Sequence, residues 1–195
     1  MRQMLIISLC TLGLTGCFGN FFTDEKQPMT LHSDRRTSGD MLMDTALELQ
    51  IQERLHALQL PEQHRVYVKT FNRHVLLLGQ VENRDLIQDI SNLVEQTEGI
   101  HHVYNELTNG RSLTYWQQTK DSWITTKISS SMMVSPHIGL WKIHVLTENS
   151  VVYLFGIVTA EEEALAIEIA RKTYGVRKVV TLFDRVETEA MTQTS

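Results

Sequence analysis

The chain has 195 residues, of which 42% are hydrophobic and 21% charged, and it carries a formal net charge of −5. That composition is ordinary for a globular protein of one or two domains. The acidic balance argues against broad electrostatic binding to nucleic acid or anionic membrane, so no nucleic-acid partner is expected and any lipid contact must be local.

Arg2 is a short basic region, and MLIISLCTLGL (4–14) is an apolar run of about 11 residues. It is too short for the ~20 residues of a membrane-spanning helix and suits a signal peptide. LTGC (14–17) follows: an aliphatic residue, two small residues and a cysteine, the pattern of a lipobox. Residues 1–16 are expected to be removed, leaving Cys17 as the lipidated first residue. Cys10 and Cys17 are the two cysteines, so the mature chain is expected to have no disulfide and no thiol chemistry. Residues 18–40 lack periodicity and, with Cys17, are expected to form a flexible tether spanning on the order of 25–30 Å. Within it Phe18, Phe21 and Phe22 suit a membrane interface.

The remainder repeats. DTALELQI (44–51) matches DSWITTKI (121–128), and NRHVLLLGQV (72–81) matches NSVVYLFGIV (149–158), both at an offset of 77. GIHHVYNEL (99–107) matches GVRKVVTLF (175–183) at an offset of 76. Each copy opens with a helix, predicted at 41–59 and 117–134, whose apolar stripe recurs every four residues: Leu47, Ile51, Leu55 and Ile124, Ile128, Met132. Strands are predicted at 65–71 and 140–146, with turns at Asn72-Arg73 and Asn149-Ser150 leading to second strands. Second helices follow, with Asn83 and Thr159 as N-caps and Gly99 and Gly175 expected at C′. A last strand closes each unit. Gly79 and Gly156 interrupt apolar strands, where glycine marks a bulge or a close backbone approach. The fold expected is α+β: two tandem αββαβ units, each a three-stranded sheet with two helices on one face. The units are placed at 41–110 and 116–187, before a disordered tail at 188–195.

The lipobox and the two αββαβ repeats, each with an apolar strand carrying Gly-x-Val and a helix closing in Gly-Val or Gly-Ile, resemble the BON-domain family. The chain is similar to its dual-BON outer-membrane lipoproteins, the division- and outer-membrane-stress-associated lipid-binding protein family. The resemblance covers residues 41–187 and is most specific at DSWITTKI (121–128), with TEN (147–149) and GIVT (156–159). Pro136-His137 and the Met- and Ser-rich stretch from Ser129 depart from the pattern. The resemblance implies binding of anionic phospholipid through the second domain and a role in envelope integrity. Because Phe18, not Asp, follows Cys17, it also implies sorting to the outer membrane, on its periplasmic face.

The residues offer no catalytic set, and no enzyme is expected. His101 and His102 are neighbours on a strand and point to opposite faces, which makes them poor joint metal ligands. Ser129–Ser131 lack a nucleophile elbow, and no glycine-rich phosphate loop is present. No metal and no other cofactor is expected. The informative signal lies between the copies. The first helix of copy one carries Asp44, Glu48, Glu53 and Arg54, all read as facing outward. Its twin keeps the buried stripe but replaces Ala46 by Trp123 and carries Lys127 among serines and threonines. Tryptophan suits a headgroup layer, and one lysine beside anionic lipid contributes about 1 kcal/mol. The expected lipid-binding residues are Trp123, Thr126, Lys127, Ser130, Met133 and Val134, in a monomeric protein anchored at Cys17. Two other readings stand beside this one: Trp123 packs between the two units, or the same neutral, aromatic face binds an envelope protein partner.

Overall fold

The computed structural model describes residues 35–61, 64–138 and 142–186. Cys17, the three tether phenylalanines, Trp141 and the tail at 188–195 lie outside the described residues. The described residues of both repeats belong to one compact unit.

The elements follow the order α1 (Ser38–Ala57), β1 (Arg65–Phe71), β2 (His74–Val81), α2 (Arg84–Glu95), β3 (His102–Asn109), then α3 (Tyr115–Met133), β4 (Ile143–Glu148), β5 (Val151–Val158), α4 (Ala160–Lys172) and β6 (Lys178–Arg185). This is αββαβ twice. Each sheet has its second strand in the middle, paired antiparallel to the first and parallel to the third.

Both hairpins close through two-residue turns with positive φ at each position, 47° and 62° at Asn72-Arg73 and 49° and 64° at Asn149-Ser150. Such turns match the twist of the flanking strands but strain side-chain-bearing residues. An aspartate one helix away holds each of them. Asp44 accepts the Asn72 and Arg73 amides at 2.7 and 2.8 Å, and Asp121 accepts those of Asn149 and Ser150 at 2.8 Å each. Asp44 is therefore buried, not outward-facing, and the second copy keeps its equivalent. The same tight turn corrects β4. It pairs Glu148 directly with Val151, so the strand runs to Glu148 instead of ending at residue 146.

α2 and α4 start at the expected caps: the Asn83 side chain accepts from the Asp85 amide, and Thr159 forms a capping box with Glu162. Gly99 and Gly175 do not sit at C′. The helices end earlier, at C-caps Gln96 and Thr173, and the glycines occupy the following turn at φ 89° and 91°. Gly79 and Gly156 mark close approaches: a Cβ there would lie 1.8 Å from the Arg65 carbonyl oxygen and 2.2 Å from that of Lys142.

α1 and α2 cover one face of the first sheet over Ile51, Leu55, Val75, Leu77 and Val94, and α3 and α4 cover the second over Ile124, Ile128, Val152 and Leu154. A third cluster joins the two sheets through the faces the helices leave bare: Leu76, Leu78 and Tyr153, with Tyr104, Leu146 and Leu182 around them. The layers are thus helix, sheet, sheet, helix. Its sequence signature is the unbroken apolar runs VLLL and VVYLF, since a strand apolar at every position is covered on both faces. Polar ties rim this joint. Arg65 meets Glu148 at 3.1 Å, Gln80 donates to Glu148 at 2.8 Å, and Asn72 donates to Asp184 at 2.7 Å. The Tyr153 phenol donates to Glu106 at 3.3 Å, and burial with that carboxylate holds its pKa above the usual range.

Residues 35–40, expected in the tether, are structured. Arg35 donates to the Ile157 carbonyl and to Glu162 at 2.7 Å each. Arg36 pairs with Asp44 at 2.8 Å and lies 4.0 Å over the Phe71 ring. A Thr37–Asp40 capping box then starts α1 at Ser38.

Candidate functional site

The face in question is the outer side of α3. Thr114 caps it, accepting from the Gln117 amide, so the helix begins at Tyr115 and not at 117. Ile124, Ile128 and Met132 turn to the core. On the opposite side every one of Trp123, Thr126, Lys127, Ser130, Met133 and Val134 is exposed. Trp123 is 51% exposed and takes no part in the joint between the sheets, which excludes it as an inter-repeat packing residue.

At 3.6 residues per turn, Trp116, Trp123, Lys127, Ser130 and Val134 fall within one narrow stripe of roughly 27 Å. Trp116 and its neighbour Tyr115, 78% and 85% exposed, were not among the expected site residues. The signal for them was Thr114 as an N-cap three residues before Gln117, together with the seven-residue spacing from Trp116 to Trp123. Lys127 is the single charged residue of the stripe.

The hydroxyls carry less chemistry than their number suggests. Thr119, Ser122, Thr126 and Ser131 each donate to the carbonyl four residues back, at 2.9–3.0 Å. Thr125 reaches Thr147 of β4 at 2.8 Å. Bound in this way, Thr126 offers a ligand its lone pairs, not its proton. The face is neutral, hydroxyl-lined and aromatic, with one cation.

The first copy's helix differs at each matching position. Glu48 stands where Thr125 is, and it pairs with Lys69 at 3.1 Å. Glu53 is exposed at the position of Ser130, and Arg54 donates to the Leu93 carbonyl and to Thr97. Leu42 and Leu49 are exposed, and Glu53 stands one turn after Leu49.

Among the described residues no group of three histidine, cysteine, aspartate or glutamate side chains is placed to hold a metal ion. No described helix is long and apolar enough to cross a membrane.

Residues 43–110 and 120–186 both match the BON domain. The chain belongs to the BON-domain family. Over 184 residues, 94% of this chain and 95% of the relative, it is 33% identical to a protein of Haemophilus influenzae named Outer membrane lipoprotein DolP. It is also 33% identical over 155 residues, 79% of this chain and 80% of the relative, to the 21 kDa hemolysin of Actinobacillus pleuropneumoniae. Two BON domains and these relatives make it a dual BON-domain outer-membrane lipoprotein with a role in the envelope. Neither relative's name denotes an enzyme. Among solved structures, CdsD, a structural protein of the type III secretion system of Chlamydia trachomatis, covers 77% of this chain and 94% of its own at 14% identity and a TM-score of 0.33, a likeness that carries no argument. The exposed stripe described above belongs to the second BON domain.

Proposed function

We propose that this BON lipoprotein is held on the periplasmic face of the outer membrane by acyl chains at Cys17 and contacts anionic phospholipid through the exposed stripe of α3. One observation carries the reading: α3 presents two tryptophans and a lysine in a single line free of acidic groups, while the same line of α1 holds Gly39, Ala46, Gln50, Glu53 and Ala57, with no aromatic, no cation and one carboxylate. An indole is favoured at the headgroup level, where its ring sits between apolar and wet surroundings. The absence of exposed acidic groups on the stripe spares a net-negative protein the repulsion of a negative surface. The anchor makes this second contact effectively intramolecular, so a weak interaction is enough to orient the domain and to support envelope integrity.

An NMR titration of residues 31–195 with anionic and zwitterionic micelles tests this. Shifts should gather on Trp116, Trp123, Lys127 and Val134 with anionic micelles, and Trp123→Glu should abolish them while the melt stays within about 0.5 kcal/mol of wild type. Unchanged micelle binding by Trp123→Glu would sink the reading. Binding to an envelope protein through the same face instead would show no dependence on headgroup charge.

A further inference from the structure

The turn joining α4 to β6 carries Arg171, Lys172, Tyr174, Arg177 and Lys178, all exposed. At the twin positions of the first copy stand Glu95, Gln96, Glu98, His101 and His102. With histidine neutral, these five positions sum to −2 in the first copy and +4 in the second. Both turns wrap a glycine of the same conformation, Gly99 at φ 89° and Gly175 at φ 91°. The fold accepts either sign, so packing does not require the cations. Helix-end electrostatics accounts for some of them, since Arg171 and Lys172 close α4 and Lys172 pairs with Glu168. Arg177 and Lys178 lie past the helix, where that explanation stops.

The turn also lies beside the stripe of α3. A Cβ on Gly175 would stand 3.2 Å from Ile124 Cδ1 and 3.4 Å from Lys120 Cε. Lys120 continues to the Ser150 hydroxyl at 3.2 Å, and the Ser150 carbonyl accepts the Arg177 amide at 2.8 Å. On the helical wheel Lys120 falls between buried Ile124 and exposed Trp116 and Lys127. The basic turn therefore borders the N-terminal half of the stripe, and Tyr174, 86% exposed, adds an interfacial aromatic at that border.

We propose that this turn is a second contact with the anionic membrane surface, in which Arg171 and Arg177 meet headgroup phosphates while the tryptophans of α3 enter the interface. The proposal rests on the lipid reading of α3 and divides the work: insertion belongs to the helix, and selectivity for negative charge belongs to the turn. Arginine suits that task because its planar fork matches a phosphate. Lys127 alone would give little discrimination in a chain of net charge −5.

The test uses residues 31–195, the compact unit containing all three hydrophobic clusters, with its cooperative melt verified first. Arg171→Gln/Arg177→Gln should melt like wild type, because both side chains are exposed. It should bind vesicles containing phosphatidylglycerol about 25-fold more weakly, the product of roughly fivefold for each basic residue. Its weak binding to pure phosphatidylcholine should not change, and its salt dependence should be shallower. The matched change in the first copy, Glu95→Gln/Glu98→Gln, should leave binding within about twofold. Arg171→Gln/Arg177→Gln binding anionic vesicles as wild type does would overturn the proposal, as would retained vesicle binding with loss of a co-purifying envelope protein. The α3 reading fails separately: Trp123→Glu would then bind normally while the turn variant stays weak, leaving the turn as the contact.

Discussion

Asp44 and Asp121 hold the same two turn amides in the two copies, whereas Ala46 and Trp123, two residues further along the same helices, share only a backbone position. The pattern continues outward. Leu47, Ile51 and Leu55 face the first core as Ile124, Ile128 and Met132 face the second. Glu53 and Ser130, or Glu98 and Tyr174, have diverged where nothing packs on them. Two copies of one fold in one chain thus form an internal control: what they share is what the αββαβ frame needs, and what they do not share on the surface is open to function.

The largest effect should come from breaking what is shared. Ile128→Glu puts an unpaired charge at a fully buried position and should cost on the order of 5 kcal/mol, comparable to the whole stability of a small domain. Ile51→Glu should cost as much. Because Leu76, Leu78 and Tyr153 fuse the two sheets into one layer, each variant should melt both copies together. Circular dichroism showing an intact first copy beside an unfolded second would mean the joint is weaker than its packing suggests.

A smaller loss should follow at the turn aspartates, and here the copies should separate. An asparagine turns an N–H donor toward one of the two turn amides, costing about 2–3 kcal/mol. Asp121→Asn should show that loss in a denaturant melt. Asp44→Asn should lose more, because the further partner of Asp44 is the Arg36 guanidinium at 2.8 Å, whereas that of Asp121 is the neutral Gln117 amide at 3.0 Å. Equal losses would mean that the charge of Arg36 adds nothing beyond a neutral hydrogen bond.

These aspartates also mark how far the sequence was legible. The repeat, the cores of both helices, both hairpin turns and the N-caps of α2 and α4 follow from local rules of spacing and capping. Asp44 reads as outward-facing because helical periodicity places it near the edge of the apolar stripe, and its partners lie 28 and 29 residues away across a turn. The joint between sheets does not follow from either copy alone, although VLLL and VVYLF are apolar at both parities. On the candidate site, Trp123 to Val134 could be placed by angle alone. Trp116 required the cap at Thr114, and the basic turn emerges only once Gly175 is seen packed on Lys120 and Ile124.

Acid should weaken the second copy in a way the first does not share. Glu162 is buried, which by itself opposes ionisation and is the largest single influence on it, yet bonds from Arg35, Lys142 and the Thr159 amide together bring its pKa down to about 2. Its folded pKa lies below its ordinary 4.5, so its contribution is fully present above that value and is lost as pH falls toward 2. Leu86 occupies the matching position in α2 and carries no such dependence. Glu162→Gln should cost on the order of 2 kcal/mol at pH 7, and the gap to wild type should close between pH 4.5 and 2. A gap that persists at the acid end would assign the loss to the capping box and not to the charge.

The smallest expected effect asks whether tryptophan alone confers lipid contact. Ala46→Trp places an indole on α1 at the position of Trp123, yet it should change vesicle binding by less than about twofold. Two features of the first copy explain the expectation. Glu53 lies two turns from residue 46 on the same helix surface and repels an anionic headgroup, where the second copy has Ser130. α1 also forms the outer layer on the far side of the paired sheets, so a membrane meeting α3 leaves α1 in water. Fluorescence quenching by brominated lipid reads the outcome, with Trp116, Trp123 and Trp141 replaced by phenylalanine so that residue 46 reports alone. Quenching there as strong as at Trp123 in the matched single-tryptophan protein would show that the two helices are interchangeable at a membrane and that the difference between the copies carries no function.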